Sequence, residues 1–321
     1  MMSKPFTITL DSKTTIVLDE AAMVGARQFR QLQRLAPDAK IIILGDRLQY
    51  QNIERGAWMG GLQDLGFKFA ELNDIERQKI QWHRDAVLNL KDGRGAHALE
   101  AFRENGQMIF EDSTDGALKR MALDIANDAT AWNEKIGIVP THEKAAIVND
   151  EVRRLRIERG ELGDEAHWVE FKPAADGPKF LRELREGERL QFKKTNASIG
   201  VNNGEEATLT GISRHRNTGD TVLTLRRDDG KTFSLALSEY DAFNYAYAGT
   251  GNSKQGASKH HAYTFLDPDS LNKQAAYVIA SRSKQETWLY GTTADCEDAA
   301  DALANLGRAM SRDGSKDWTL D

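Results

Sequence analysis

The stretch Thr14-Thr15-Ile16-Val17-Leu18-Asp19-Glu20-Ala21-Ala22-Met23 decides the fold. A β-branched apolar run predicts a strand, and it stops at two adjacent acids. Residues 25–35 have helical character, and Pro37-Asp38 marks the break. Lys40 to Leu44 is a second apolar run, ended by Gly45-Asp46. Continuous apolar strands alternating with helices predict a buried parallel sheet. Acids just past both strand ends fall where open α/β sheets bind ligands. Consecutive residues at a strand end diverge, so one carboxylate can reach a metal ion and the other a water molecule. Alone, Asp19-Glu20 reads first as a solvated strand end, and Gly45-Asp46 as an ordinary turn. The two strands at this spacing are more specific than either.

Outward from this unit, residues 79–134 read as mostly helical, with Gly93 and Gly95 as breakers. Ile136-Gly137-Ile138-Val139 predicts another strand, and a charged helix follows from about Lys144 to Arg159. From Glu188 the pattern changes to short alternating strands at 189–192, 207–210, 221–225 and 232–237. Asn202-Asn203-Gly204, Asn217-Thr218-Gly219-Asp220 and Asp228-Asp229-Gly230 separate them as turns, the last a strong hairpin signal. This predicts a small antiparallel barrel inserted into an α/β domain. The α/β pattern resumes at His261–Phe265 and Thr287–Tyr290. Residues 294–321 hold seven acids against three bases and predict a helix with a loose tail.

The 321 residues are enough for about two domains. With 40% apolar and 29% charged residues the composition is that of a globular chain. No apolar run is long enough to span a membrane, and Met1 to Phe6 lacks the apolar core of a signal peptide. A single cysteine, Cys296, excludes a disulfide framework and a Cys-rich zinc site. These features predict a cytoplasmic protein. The net charge of −6 argues against a generally basic coat. It leaves room for a local basic groove. Residues 178–231 carry eleven bases against eight acids, including Lys193-Lys194, Arg214, Arg216 and Arg226-Arg227. Bases of this kind suit phosphates, and aromatics suit unstacked bases. Trp168, Phe192, Phe243, Tyr245 and Tyr247 are the aromatics in or near this region. The alternative makes Phe192 core and the bases a wetted face.

The order of signals resembles a superfamily 1 DNA helicase of the RecD-like branch. It is most similar to the C-terminal helicase part of conjugative relaxase-helicases of the TraA/TraI type. Asp19-Glu20-Ala21-Ala22-Met23-Val24 resembles helicase motif II, and Gly45-Asp46-Arg47-Leu48-Gln49 resembles motif III. Leu72 to Gln78, containing Arg77, resembles motif IV. Thr250 with Gln255-Gly256 resembles motif V, and Tyr277-Val278-Ile279-Ala280-Ser281-Arg282 resembles motif VI. The resemblance implies a RecA-like P-loop NTPase fold. The first motor domain would be incomplete (1–78), followed by a helical connecting region (79–134). A second motor domain (135–187 and 241–292) would carry an inserted SH3-like β-barrel (188–240), before a C-terminal helix and acidic tail (293–321). It also implies ATP and Mg²⁺ as cofactors and single-stranded DNA as partner. Asp19 would hold Mg²⁺ through water, and Glu20 would orient and deprotonate the attacking water. Gln49 would sense the terminal phosphate, and Arg77 and Arg282 would neutralise charge on the transferred phosphoryl group. Asp46, Thr250, Gln255 and Gly256 would border the nucleotide. Lys193, Lys194, Arg214, Arg216 and Lys254 would meet DNA.

Departures from the family pattern matter as much. No Gly-x-x-x-x-Gly-Lys-Ser/Thr occurs in the sequence, and only 18 residues precede Asp19. The relaxase signature is missing too; adjacent His260 and His261 in a strand point to opposite faces. Motif V has Asn252 and Ser253 where histidine and lysine are usual. Two readings follow. One is part of an ATP-dependent 5′→3′ helicase in conjugative transfer or mobile-element processing, with the P-loop or a relaxase on a separately encoded chain. The other is an inactive helicase remnant that binds single-stranded DNA or a transfer protein.

Overall fold

The computed structural model describes residues 10–46, 58, 61–62, 65–70, 77–251, 253–254 and 258–314. Strands β1 (Thr15–Leu18) and β2 (Lys40–Ile43) are joined by α1 (Ala26–Leu35) and pair in parallel, with Val17 opposite Ile42. Among the described residues this unit has little core. Val17 is 56% exposed and Leu44 46%, and α1 has no buried residue.

The chain continues through α2 (Gln81–Lys91), α3 (Gly95–Glu104), β3 (Met108–Glu111), α4 (Thr114–Asn127), β4 (Lys135–Val139) and α5 (His142–Glu158). A hairpin follows, β5 (His167–Phe171) and β6 (Phe180–Leu184). Next come β7 (Arg189–Phe192), β8 (Glu206–Arg214), β9 (Thr221–Arg227), β10 (Thr232–Ala236) and β11 (Phe243–Tyr245). The last elements are β12 (Ala248–Thr250), β13 (Lys259–Phe265), α6 (Lys273–Ala280), β14 (Ser283–Thr292) and α7 (Ala299–Ser311). Helix starts are set by side-chain caps that satisfy otherwise unpaired amides. Ser113, Thr141, Asn272 and Asp298 accept from the third residue onward at α4, α5, α6 and α7.

Strands β12-β4-β13-β14-β3 form a five-stranded parallel sheet covered on both faces. Residues of α4 and α5, among them Met121, Ile125 and Val148, fill one side. Leu90, Leu99, Phe102, Ile279 and Leu306, from α2, α3, α6 and α7, fill the other. Burial on both sides is why β4 reads as an unbroken apolar run. Helices α3 and α7 approach closely because both contact residues are glycines. A Cβ on Gly95 would stand 2.7 Å from the Gly307 carbonyl oxygen.

Two elements differ from the sequence expectation. Strand β3 lies inside the stretch read as helical and pairs with β14 at the sheet edge. Its four residues are too few to show a period. The β5–β6 hairpin is also absent from the sequence expectation, because its eight-residue connection, 172–179, is longer than the short loops that mark hairpins.

Strands β7 to β11 form an antiparallel sheet ordered β10-β9-β8-β7-β11 around Phe192, Leu209, Leu223, Leu225 and Leu235. Among the described residues its edge strands β10 and β11 are not paired with each other, so the ladder is open rather than closed. The β9–β10 turn has Gly230 at φ 86°, as the Asp-Asp-Gly signal requires. Glu188, fully buried, anchors this sheet to α5, accepting from Arg153 Nε at 2.7 Å and Tyr247 Oη at 2.8 Å. No described helix is long and apolar enough to cross a membrane.

Candidate functional site

The ends of β1 and β2 are locked side by side. Leu44 N–H donates to Leu18 O at 2.8 Å, and Ala21 N–H to Leu44 O at 2.9 Å. Asp19-Glu20 and Gly45-Asp46 therefore share the carboxyl edge of one parallel pair. Asp19 is exposed, and its Oδ1 accepts Glu20 N–H at 2.9 Å. Glu20 sits at φ 49°, ψ 42°, the only non-glycine among the described residues in the left-handed region. That conformation costs a side-chain-bearing residue about 1–2 kcal/mol. Strain of this kind concentrates where a side chain must be aimed.

Asp46 meets the second sheet through Tyr277. The Tyr277 hydroxyl, on α6, donates to the Asp46 carboxylate. Burial, then the Asp46 charge and hydrogen bond, push the phenol up to about 12, while Arg77 and Arg282 pull it back. Both guanidinium groups thus lie in the same electrostatic neighbourhood. Arg282, in the turn between α6 and β14, is 2% exposed, and its Nε donates to Val278 O at 2.8 Å. Arg77, half-buried just before α2, donates from Nη1 to Ser281 O at 2.9 Å. Three expected site residues, Asp46, Arg77 and Arg282, are therefore brought together from segments far apart in sequence. Asp19 and Glu20 stand one strand away from Asp46. Tyr277, the residue that joins the group, was quoted within a motif but given no role. Its signal was its place five residues before Arg282.

Other expected residues fall elsewhere. Gln49, Gln255 and Gly256 lie outside the described residues. Thr250 ends β12, half-buried, and its backbone oxygen accepts from Lys254 N–H at 3.1 Å. Lys254, expected to meet DNA, is instead 3% exposed. Its ammonium pairs with the Glu206 carboxylate and donates to Ala246 O at 3.3 Å. Lys193 is half-buried and donates to Gln191 Oε1 at 2.6 Å; burial, then repulsion from Lys254, hold its ammonium down at about 8. Lys194, Arg214 and Arg216 are exposed.

The basic residues do not form one groove. Gln191 pairs opposite Glu206, while Arg214 lies eight residues further along β8. At about 3.3 Å per residue Arg214 is about 25 Å along the strand from the position opposite Gln191, and Lys193-Lys194 continue away from it past Gln191. The aromatics also separate. Phe192, Phe243, Tyr245 and Tyr247 are core, whereas Trp168 on the hairpin is 63% exposed.

The site's chemistry fits part of a magnesium–nucleotide complex. Among the described residues no group of three or more His, Cys, Asp or Glu could hold a metal ion. Mg²⁺ needs no such cage, since it keeps several waters and takes few protein oxygens beside those of phosphates. One exposed carboxylate, Asp19, and two arginines suit Mg²⁺ and a terminal phosphate.

Comparison with known proteins agrees with this architecture. A family model described as an AAA domain matches residues 6–113. The conjugal transfer protein TraA of Rhizobium radiobacter is 29% identical over 315 residues, covering 97% of this chain and 27% of that protein. A probable TraA of Sinorhizobium fredii is 28% identical over 317 residues, with the same coverage. The chain thus spans about a quarter of these curated relatives. Among solved structures, a Bacteroides Pif1 helicase bound to single-stranded DNA aligns at TM-score 0.54 and 15% identity, covering 85% of this chain and 70% of that one. Pif1 from Candida albicans aligns at 0.52 and 14%, covering 86% and 72%. The parallel sheet and these neighbours show the fold, an α/β architecture shared with the Pif1 helicase structures. In sequence the chain is similar to the TraA proteins along nearly its whole length.

Proposed function

We propose that this chain is part of an ATP-dependent 5′→3′ DNA helicase acting on single-stranded DNA in conjugative transfer or mobile-element processing. The phosphate cradle would come from outside the sequence, on a separately encoded P-loop or relaxase chain. The observation that carries the reading is the convergence of Asp46, Arg77 and Arg282 around Tyr277. Two arginines beside a carboxylate at the mouth of a parallel sheet are suited to a phosphate anion and its metal. Mg-ATP would supply the phosphoryl group whose transfer drives movement. Asp19 would hold the Mg²⁺ through water, and Glu20 would orient and deprotonate a water. Arg77 and Arg282 would neutralise phosphoryl charge, Arg282 from the second sheet. An arginine in that role is worth about 10³ to 10⁵ in rate. Lys193, Lys194, Arg214 and Arg216 would contact the DNA backbone, and Trp168 is the exposed aromatic available for a base.

The test is Mg-ATP hydrolysis by the purified chain with and without single-stranded DNA, beside Glu20→Gln and Arg282→Ala. An N-terminal P-loop segment from a TraA relative is then added in trans. Turnover that needs DNA and the added segment, and is abolished by both substitutions, is the expected result. Salt-sensitive DNA binding without turnover under any condition would support the inactive remnant instead, which the Asn252-Ser253 departure favours.

A further inference from the structure

Backbone carbonyls bracket Arg282 and residues 77–83 engage them; His83, whose burial favours the neutral ring, can donate to only one of the two it faces. The six backbone oxygens from Ala280 to Gln285 bracket it at the turn between α6 and β14. Gln78 Nε2 donates to Ser283 O at 2.8 Å and Ser281 O at 3.2 Å. Arg77 Nη1 also reaches Ser281 O, and Lys79 N–H donates to Lys284 O at 3.0 Å. The His83 ring nitrogens lie 3.1 Å from Ala280 O and 3.3 Å from Gln285 O. The sixth oxygen, that of Arg282 itself, accepts Lys259 N–H at 3.1 Å. The segment 77–83 thus grips a turn two hundred positions away, on both sides of the arginine.

Within this grip Gln78 has the deciding chemistry. It is 1% exposed, and one amide nitrogen carries two hydrogens, enough for the carbonyls immediately before and after Arg282. Its own carbonyl is fixed by Arg84, from Nε at 3.3 Å and Nη2 at 2.9 Å. A glutamate there would turn oxygens toward two carbonyl oxygens. A methionine would fill the space and leave both carbonyls short of a donor.

We propose that Gln78 is a positioning residue for Arg282. Its amide clips the two carbonyls that flank the arginine, so the guanidinium is aimed before any phosphate arrives. Because Gln78 follows Arg77 directly, the clip also joins the two arginines into one unit. Any displacement of residues 77–79 is passed to the turn that carries Arg282. The role in phosphate chemistry rests on the function proposed above; the placement of the arginine does not.

The experiment separates the two. Hydrogen exchange of the Arg282 side-chain Nε–H is followed by NMR in the full chain and in Gln78→Met, Gln78→Asn and Leu223→Ala. The last variant weakens the remote antiparallel sheet. Gln78→Met is expected to speed exchange about tenfold or more, Gln78→Asn less, and Leu223→Ala not at all. The Asn variant keeps the measurement usable if Met does not fold. Unchanged exchange in a folded Gln78 variant overturns the proposal. Affinity for Mg-ADP with fluoroaluminate relative to Mg-ADP is measured alongside, with the P-loop segment present. Gln78→Met is expected to lose the fluoroaluminate preference as Arg282→Ala does, without a further loss in the double variant and with Mg-ADP affinity kept. Retention of that preference in Gln78→Met, where Arg282→Ala loses it, also overturns the proposal. If the parent chain binds neither nucleotide, the proposed function falls, and the exchange result alone decides the clip.

Discussion

Replacing Lys254 by methionine tests how the segment after β12 is held. Lys254 is 3% exposed, and its ammonium lies against the Glu206 carboxylate and Ala246 O. Burial alone would raise the Glu206 carboxyl; Lys254 first and Arg189 next more than offset that and hold it at about 2. Removing one partner of a buried pair costs about 3–5 kcal/mol, chiefly by stranding the other charge. Glu206 keeps Arg189 at 3.1 Å, so the loss should sit at the lower end, about 3 kcal/mol. Glu206→Gln would strand Lys254 near Lys193, and the double variant should cost about 2 kcal/mol less than the sum. Urea unfolding measures these values. Single-stranded DNA binding against salt completes the assay, because each lost phosphate contact flattens the logarithmic slope by about 0.7. Lys194→Ala, at an exposed position, should flatten it by that amount; Lys254→Met should leave it unchanged. The reasoning fails if Lys254→Met flattens the slope like Lys194→Ala while the unfolding midpoint stays put. Lys254 would then be leaving Glu206 for a phosphate.

Two further outcomes follow from local geometry. Glu20→Gly removes a side chain from a left-handed backbone position, so unfolding free energy should stay level or rise by about 1 kcal/mol while any ATP turnover is lost; clear destabilisation would show that Glu20 is not strained. Asp128 accepts from Thr130 N–H at 2.8 Å and from His261 and Tyr263 at 2.9 Å. Burial would raise its carboxyl, but the hydrogen bonds from Thr130, His261 and Tyr263 hold it at about 2. A folded-state value below the ordinary 3.8 means a contribution fully present above that pH and lost as pH falls through about 2. Acid unfolding should therefore be shallower for Asp128→Asn than for the parent between those values, and equal slopes would contradict the assignment.

What the sequence made legible was the order of strands and the acids and arginines at their ends. Continuous apolar runs such as Ile41-Ile42-Ile43 mark strands, and an arginine within a longer pattern carries an address. Side-chain partners were not legible. Lys254 reads as a free cation until β8 delivers Glu206 to it, forty-eight positions away. The basic count over residues 178–231 suggested one groove, yet strand register sends Lys194 and Arg214 to opposite ends of β8. Tyr277 and Gln78 act through contacts with Asp46 and with the turn around Arg282, and no local pattern encodes such contacts. Phe192 and Tyr247 look like stacking platforms in sequence, and their rings are core.

The two halves of the candidate site are held with unequal firmness. Arg282 belongs to a turn whose carbonyls are gripped by Arg77, Gln78 and Lys79, on a sheet covered by helices on both faces. Asp19, Glu20 and Asp46 belong to a two-stranded pair whose connecting helix buries nothing and whose strand residues Val17 and Ile42 remain exposed. Local stability follows buried apolar contact, so the acidic half opens at lower free energy than the basic half. The Tyr277–Asp46 hydrogen bond and the Arg77–Ser281 bond tie the weaker half to the stronger one. An element that packed on Val17 and Ile42 would fix the carboxylates against arginines already in place.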